Sequence, residues 1–478
     1  MRVCLLLMAA FFATASMRIN LSMGITCMVN STAFASEELK SFYKNESIDH
    51  SNDVCKPIVN EKVAKQDGYE GTLLWSPSRQ SLLFSASFYG GLVTMAFAGY
   101  LADKYGPKLI LLAAALDCVV FTMMGPFLAD RSYWSFFASR AFMGIGIGCI
   151  QPCINSMAAL WFPASEKSTV AALYTTGNQL AASLTSFFVA ELCLSSFGWP
   201  SIFYIFGGVG LLWALVWWIF VSNAPKDNRW MGEAEKKFLE HENSTRKNKD
   251  MFRQNSLPFR HLFCNSTMQS IYCCQFAFSL CATIVQSFLP TYFKEHLYLP
   301  IHLNGLYNIV PFIAQIISKN IMAVISDYLK KRDLVDANVL VKFFQGFGSF
   351  GVSITLILLA TLPSCENPFV ALYLLAAYGF FFAGAIPGFF TALMSVAPPY
   401  AGTISSFSTI YATLASLAGP IIISVIDALD WPNKWMTIFG FCSIVQLFAG
   451  FFFVLCGEAK VQSWAKPKDS IDLTAAAC

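Results

Sequence analysis

Residues 99–108 read Gly-Tyr-Leu-Ala-Asp-Lys-Tyr-Gly-Pro-Lys and join two apolar runs in the first half of the chain. A related stretch, Ser-Asp-Tyr-Leu-Lys-Lys-Arg at 326–332, follows another apolar run in the second half. Asp103 and Asp327 are 224 residues apart in a chain of 478 residues, which is close to half its length. A motif repeated at this period predicts two structurally similar halves.

The composition is that of a membrane protein. The chain is 56% hydrophobic and only 13% charged, whereas soluble domains carry about 25% charged residues. Apolar runs of about 20 residues, long enough to cross a bilayer as helices, occur twelve times. They lie near 3–29, 80–102, 108–128, 133–160, 168–192, 200–222, 268–293, 303–326, 340–362, 368–395, 402–427 and 434–456. We therefore predict an all-α membrane protein with twelve transmembrane helices in two six-helix bundles.

Two long polar segments divide the apolar runs. Residues 30–79 follow the first run, and residues 223–267 separate the sixth run from the seventh and carry nine Lys and Arg. Because positively charged loops stay in the cytoplasm, 223–267 is predicted to be a cytoplasmic linker, and the 30–79 loop to face the outside or a lumen. The expected domains are an N-terminal bundle at 1–222, a C-terminal bundle at 268–456 and a cytoplasmic tail at 457–478.

Four glycosylation sequons test this topology. Asn45 and Asn30 lie in the loop predicted to face away from the cytoplasm and are expected to carry glycans. Asn243 and Asn265 lie in the predicted cytoplasmic linker and are expected to stay unmodified.

The first apolar run has an alternative interpretation. Arg2, an apolar core and Ala-Thr-Ala at 13–15 resemble a secretory signal peptide with its cleavage site. The apolar character continues past Arg18 to Val29, which is long enough to span a membrane. We expect a retained helix, with a cleaved leader as the alternative.

Motifs for enzyme chemistry are absent from the sequence. It contains no P-loop, no HExxH, no GxSxG and no paired CxxC, and its five His show no metal-ligand spacing. The net charge of +3 is too small to indicate a nucleic-acid partner. Most of the 15 cysteines lie in apolar runs, where small buried residues are expected, but Cys55 and Cys365 lie in polar loops and are candidates for a disulfide. No enzyme activity, metal site or organic cofactor is predicted.

The stretch at 99–108 resembles the loop signature of the major facilitator superfamily. Other stretches resemble the anion:cation symporter family within it, which includes type I phosphate transporters, sialin and vesicular glutamate transporters. They are Met-Arg-Ile-Asn-Leu-Ser at 17–22, Gly-Trp-Pro-Ser-Ile-Phe-Tyr at 198–204 and Leu-Pro-Thr-Tyr at 289–292. The likeness extends from the first span to Trp464.

This resemblance implies a secondary transporter of small anions that works by alternating access. Inorganic phosphate and organic anions such as carboxylates, urate and sialate are the expected substrates. The membrane is the plasma membrane or that of a vesicle or lysosome, and a monomer is expected. The residues of the implied conformational gate are Gly99, Asp103, Gly106, Lys108, Asp327 and Arg332.

Two arginines are the predicted substrate-binding residues. Arg18 lies in the middle of the first span and Arg140 in the fourth, and an intramembrane Arg is costly unless it has a role. A guanidinium offers a two-pronged hydrogen-bond donor that suits carboxylate or phosphate. The alternative is that an Arg pairs with an acid such as Asp117 or extends to the membrane surface. Near Arg140, the glycines at 144, 146 and 148 would let a helix or a substrate approach closely.

The fourth span departs from the family pattern at the coupling positions. Sialin-like relatives carry acidic residues three and seven positions after the Arg, where this chain has Met143 and Ile147. Neither side chain can titrate, so proton symport through this helix is not expected. Ser395 and Phe278 replace an Asp and an Arg of other relatives, and vesicular glutamate transport is not expected.

Weaker candidates for the pathway or for coupling lie in other spans. Asp117 is interpreted as an Arg partner, a proton site or a polar group at a helix interface. Lys319 either extends to the cytoplasm or adds charge to the pathway, and Asn178 and Tyr89 either hydrogen-bond substrate or pack. Bends are expected at Pro152, Pro311, Pro387 and Pro420.

The expected partners are a small anion and the lipid bilayer, and the coupling ion is left open between a sodium ion and a proton. A second hypothesis is a non-transporting sensor or scaffold on a transporter fold, because lost acidic residues can mark a repurposed transporter.

Overall fold

The computed structural model describes residues 2–30, 67–69, 71–162, 167–223, 259–332, 334–397, 401–429, 431 and 433–465. Within these ranges twelve helical spans follow the predicted apolar runs closely, so the predicted fold class is confirmed. In the first half they are α1 (Arg2–Met28), α2 (Pro77–Leu83 and Ala86–Tyr105), α3 (Pro107–Met123 and Gly125–Arg131), α4 (Tyr133–Trp161), α5 (Lys167–Leu194) and α6 (Pro200–Phe220). In the second half they are α7 (Ser266–Glu295), α8 (Ile301–Tyr307 and Val310–Lys331), α9 (Ala337–Thr361), α10 (Phe369–Ser395), α11 (Ala401–Ala428) and α12 (Lys434–Cys456).

Length and composition agree with membrane crossing. Among the described residues, nine helices are long and apolar enough to cross a bilayer, and a tenth crossing is bent by 45° between the two parts of α3. The main part of α2 and α5, with 20 and 28 residues, are less apolar but long enough to complete the twelve. We call the end of the bundle with Met28, Leu194 and Glu295 the loop end. The end with Tyr105, Phe220 and Lys331 is the linker end.

The first span is an integral part of the N-terminal half. Trp213 Nε1 of α6 donates to the Leu6 carbonyl oxygen at 3.0 Å, and Thr185 Oγ1 of α5 lies 2.9 Å from Ser16 Oγ. Cleavage after Ala15 would therefore remove the Leu6 carbonyl oxygen to which Trp213 of α6 donates.

A disulfide joins α1 to α5 at the loop end. It links Cys27 to Cys193, whose Cα atoms are 6.1 Å apart. This pair was not predicted from the sequence, because Cys27 lies inside an apolar run. Cys365 is also disulfide-bonded, whereas Cys55 lies outside the described residues, and the Cys55–Cys365 pairing stays a prediction.

The glycines of α4 serve helix packing. A Cβ atom at Gly144 or Gly148 would collide with α2, at the Ser87 carbonyl oxygen and the Thr94 hydroxyl respectively. A Cβ at Gly146 would collide with the Ala114 carbonyl oxygen of α3. Of the two alternatives, the structure therefore shows the close approach of neighbouring helices.

The four prolines at which bends were expected lie in different settings. Pro387 lies in a π-helical segment of α10 that contains the non-helical Gly388, and Pro311 begins the long part of α8. Pro152 and Pro420 lie inside continuous helices.

The first residues after α12 pack back onto the C-terminal half. Asn338 Oδ1, at the start of α9, accepts the backbone N–H groups of Ala459 and Lys460 at 2.7 and 3.1 Å. The N–H of Gln462 donates to the Val396 carbonyl oxygen at 3.0 Å. The described part of the tail is thus ordered against the linker end.

Candidate functional site

A narrow cavity lies between the two halves near the middle of α1 and α7. Its volume is about 30 Å³. Its apolar walls come from side chains such as Phe84, Phe88 and Met143. Its polar lining residues are Arg18, Ser22, Ser87, Arg140, Thr283, Gln286 and Ser287. We call this space the central cavity, and the described residues that line it include two cations and no acidic residue.

Arg18 presents its guanidinium to the central cavity. Nη2 donates to Gln286 Oε1 of α7 at 3.2 Å, and the guanidinium carbon lies 5.9 Å from the centre of the Phe88 ring. Across the described part of the chain, no carboxylate lies within ion-pair distance of Arg18. A half-buried cation held by a neutral amide retains most of its capacity to bind an anion.

Arg140 also borders the cavity but is packed into the N-terminal half. Its side chain is only 3% exposed. Nη1 donates to the Met17 carbonyl oxygen at 3.0 Å and Nη2 to Asn20 Oδ1 at 3.1 Å. The guanidinium carbon lies 5.3 and 5.4 Å from the ring centres of Phe136 and Phe203. These contacts make Arg140 a link between α1, α4 and α6 as well as a source of positive potential.

Asp117 is engaged at a helix interface. Its Oδ2 accepts the backbone N–H of Gly146 at 3.1 Å, so the carboxylate ties α3 to α4. Neither Arg18 nor Arg140 forms an ion pair with it. Of the three interpretations of Asp117, the geometry favours a polar group at a helix interface.

The other pathway candidates lie away from the central cavity. Tyr89 is 39% exposed and its ring packs 6.3 Å from that of Phe137, because it points from α2 toward α4 at the periphery while Phe88 points inward. Asn178 is half-buried on α5 and does not line the cavity. Lys319 is 6% exposed on α8, and its Nζ lies 3.4 Å from Thr176 Oγ1 of α5. It therefore lies between the halves but outside the cavity lining.

The motif at 99–108, whose residues were predicted to form a gate, connects α2, α3 and α6 at the linker end. Gly106 has a φ of 87°, and a Cβ there would also press on the Asn223 side chain. Asn223 Oδ1 accepts the Lys108 N–H at 3.1 Å, and Lys108 Nζ donates to the Trp218 carbonyl oxygen at 3.2 Å. Gly99 and Asp103 lie in the last turns of α2.

The matching motif of the second half lies at the end of α8. Asp327 is in the last turns of this helix, and Arg332 follows it, with its guanidinium carbon 5.0 Å from the centre of the Tyr328 ring. The two copies of the motif therefore occupy equivalent positions, after the second helix of each half.

Comparison with known proteins decides the family. The family model described as Major Facilitator Superfamily matches residues 5–420. The chain belongs to the major facilitator superfamily. An uncharacterised transporter of Caenorhabditis elegans, slc-17.3, is 32% identical over 99% of this chain and 90% of its own length.

Other relatives and a solved structure of similar fold agree with this assignment to the superfamily. A putative inorganic phosphate cotransporter of Drosophila melanogaster is 28% identical over 95% of this chain and 84% of its own length. Sialin of Homo sapiens is 25% identical over 95% of this chain and 88% of its own length. The inward-open xylose transporter of E. coli has the same fold, with a TM-score of 0.66 at 14% identity over 95% of each chain. The protein is thus an integral multi-pass membrane transporter and not an enzyme.

Polar contacts join the two halves at the loop end. Ser81 Oγ of α2 donates to Asp427 Oδ2 of α11 at 2.5 Å, and the Asp427 side chain is 3% exposed. Within the C-terminal half, Lys434 Nζ of α12 lies 2.6 Å from Asp427 Oδ1 and 3.1 Å from Glu295 Oε2. His302 and Glu191 form a further pair across the halves at 2.5 Å. These contacts close the loop end, and none of them was predicted from the sequence.

The Ser81–Asp427 hydrogen bond is expected to stabilise loop-end closure. Asp427→Asn keeps a similar shape but weakens both the bond to Ser81 and the pairing with Lys434. We expect Ser81→Ala and Asp427→Asn to raise the reactivity of a cysteine placed at Ser287 toward an impermeant maleimide from the loop end, in a background without other reactive thiols. Ser78 of α2, bonded at 2.9 Å to Ser424, offers a matched serine, and Ser78→Ala should have the smaller effect. Unchanged reactivity in both Ser81→Ala and Asp427→Asn would show that this contact does not hold the loop end closed.

Proposed function

We propose that this transporter carries a small anion by alternating access and that Arg18 is its fixed binding charge. The observation that carries the proposal is the guanidinium of Arg18 in the cavity between the halves, bonded there to a neutral amide. Removing a cation from water is costly without a compensating anion or dipoles, and intramembrane charges of this kind mark substrate pathways. An incoming carboxylate or phosphate supplies the missing negative charge.

The relatives support an anionic substrate. Among them are proteins named sialin, putative inorganic phosphate cotransporter and chloroplastic ascorbate transporter. Inorganic phosphate and organic carboxylates, urate or sialate are the substrates we propose to test. Hydroxyl groups of Ser22, Ser87 and Thr283 are available to hydrogen-bond such anions.

The driving force proposed is the membrane voltage or a co-transported sodium ion. Met143 borders the cavity where a sialin-like relative carries an acid, and Asp117 is tied to Gly146. A proton-coupled step needs a titrating group in the pathway, and the described residues that line the cavity include no Asp, Glu or His. An anion that crosses alone moves net charge, so its flux responds to voltage.

The orientation proposed places the loop end outside the cytoplasm. The Cys27–Cys193 disulfide supports this, because disulfides persist in oxidising compartments. Asn30, just after α1, lies at the same end, and Asn45 lies outside the described residues. In this arrangement α1–α6 and α7–α12 are the two moving bundles, and Lys319 adds positive charge between them toward the linker end.

Uptake into proteoliposomes under separately imposed gradients tests the proposal. We expect uptake of at least one anion among phosphate, urate, sialate and glutamate, driven by an inside-positive voltage or by an inward sodium gradient. A proton gradient clamped at zero voltage should change the rate by less than about twofold. Uptake driven by the proton gradient alone would contradict the coupling proposal. The absence of both flux and anion-induced thermal stabilisation across the panel would favour the non-transporting sensor.

A further inference from the structure

Near the midplane α1 and α7 are joined by two links that involve Gln286, and nearer the loop end Lys294 Nζ of α7 donates to the Thr26 carbonyl oxygen of α1 at 2.8 Å. The Gln286 side chain accepts from Arg18 through Oε1 at 3.2 Å. Its backbone carbonyl accepts from Ser22 Oγ at 2.9 Å, one helical turn after Arg18, and the Ser287 carbonyl lies 3.0 Å from the same hydroxyl. One residue of the C-terminal half thus meets two residues on one face of α1.

Pro290 explains why the Gln286 carbonyl is available. In an α-helix this oxygen would accept the N–H of the residue four positions later, which here is Pro290 and has no N–H. The freed carbonyl is satisfied by Ser22 of the other half. The contact with Ser22 can therefore persist whether or not the Gln286 side chain stays on Arg18.

We propose that Gln286 is a positioning residue that occupies the place of the substrate on Arg18 when the cavity is empty. This inference rests on the proposed anion transport. A carboxylate or phosphate is a stronger acceptor for a guanidinium than a neutral amide, so a bound anion displaces Gln286 Oε1. Loading of the site thereby removes one of the two α1–α7 links at the midplane.

The hydrogen bond between Arg18 and Gln286 acts on the empty transporter. An unloaded Arg18 would be left between the halves without an acceptor, and Gln286 supplies one in the conformation whose loop end is closed. Net uptake requires the empty transporter to change conformation, whereas exchange of one anion for another uses only the loaded form. Gln286 should therefore matter for net uptake and little for exchange.

Two substitutions separate these roles. Gln286→Ala removes a hydrogen bond to a charged group, and we expect net uptake to fall about tenfold with exchange within about twofold of wild type. Gln286→Glu places a permanent carboxylate on Arg18, so it should abolish binding of the labelled anion, net uptake and exchange while the protein stays folded. Gln286→Met, which keeps the length of the side chain, replaces Gln286→Ala if the latter does not fold.

Gln275→Glu is the matched control. Gln275 lies on the same helix, but its side chain contacts Ser279 at 3.1 Å and Ser408 at 3.2 Å, both in its own half. This variant should keep anion binding. Equal losses of net uptake and exchange in Gln286→Ala, or transport by Gln286→Glu at the wild-type rate, would overturn the inference. Failure of the wild type in both assays would instead overturn the proposed transport itself.

Discussion

Arg18→Ala should lower kcat/KM for anion uptake at least about 100-fold, because it removes the fixed charge of the central cavity and two charge-assisted hydrogen bonds worth about 3 kcal/mol. Arg18→Lys retains the charge but loses the planar two-pronged donor, so its uptake should lie between those of wild type and Arg18→Ala. Initial rates of radiolabelled anion uptake in proteoliposomes give both values.

The control for this prediction is the stability of the same variants. Arg18 has one described hydrogen bond, to a side chain that borders the cavity, and its replacement leaves Gln286 able to reach water. Arg18→Ala should therefore elute as a monodisperse protein with an apparent Tm near that of wild type. Wild-type uptake by a well-folded Arg18→Ala protein would rule out Arg18 as the binding charge.

Arg140→Ala should instead destabilise the protein. The substitution leaves Asn20 Oδ1 without its described donor in a buried place and opens a void between the rings of Phe136 and Phe203. An unsatisfied buried acceptor together with the lost packing costs about 3 kcal/mol or more. Thermal unfolding in detergent, followed by size-exclusion chromatography, should show a clearly lower Tm and less folded protein than Arg18→Ala does.

A second substitution distinguishes the structural role of Arg140 from a direct role in binding. Arg140→Lys keeps the positive charge near the cavity, but a single ammonium replaces the fork that reaches both Met17 and Asn20. We expect a lower Tm with measurable anion binding in the protein that remains folded. A stable Arg140→Ala protein that has lost all anion binding would make Arg140 a direct ligand and contradict this account.

Much of the fold could be predicted because each span is a long apolar run. The bounds of α12, Lys434–Cys456, coincide with the predicted span at 434–456. Arg18 could be identified because one charge stands in an otherwise apolar helix. Tyr89 could not be placed, because α2 carries apolar residues on every face. Its sequence pattern therefore does not show which face meets the cavity.

The contacts between the halves could not be predicted. Gln286 and Asp427 look unremarkable in sequence, and their partners on α1 and α2 are 268 and 346 residues away. Which faces of two bundles meet depends on how all twelve helices pack, which local patterns do not encode. The Pro-Thr-Tyr stretch that begins at Pro290 was the available signal, because a proline inside a helix frees the carbonyl four residues earlier.

We propose above all that the anion binds at Arg18 between the two halves. Equilibrium binding of a labelled anion to purified protein in detergent tests this without any transport step. The labelled anion is one that wild-type protein takes up in proteoliposomes. Its binding is measured on wild type, Arg18→Lys and Arg18→Ala, in preparations of equal monodispersity. We expect saturable binding to wild type, weaker binding to Arg18→Lys and none to Arg18→Ala. Binding to Arg18→Ala with wild-type affinity would contradict the proposal.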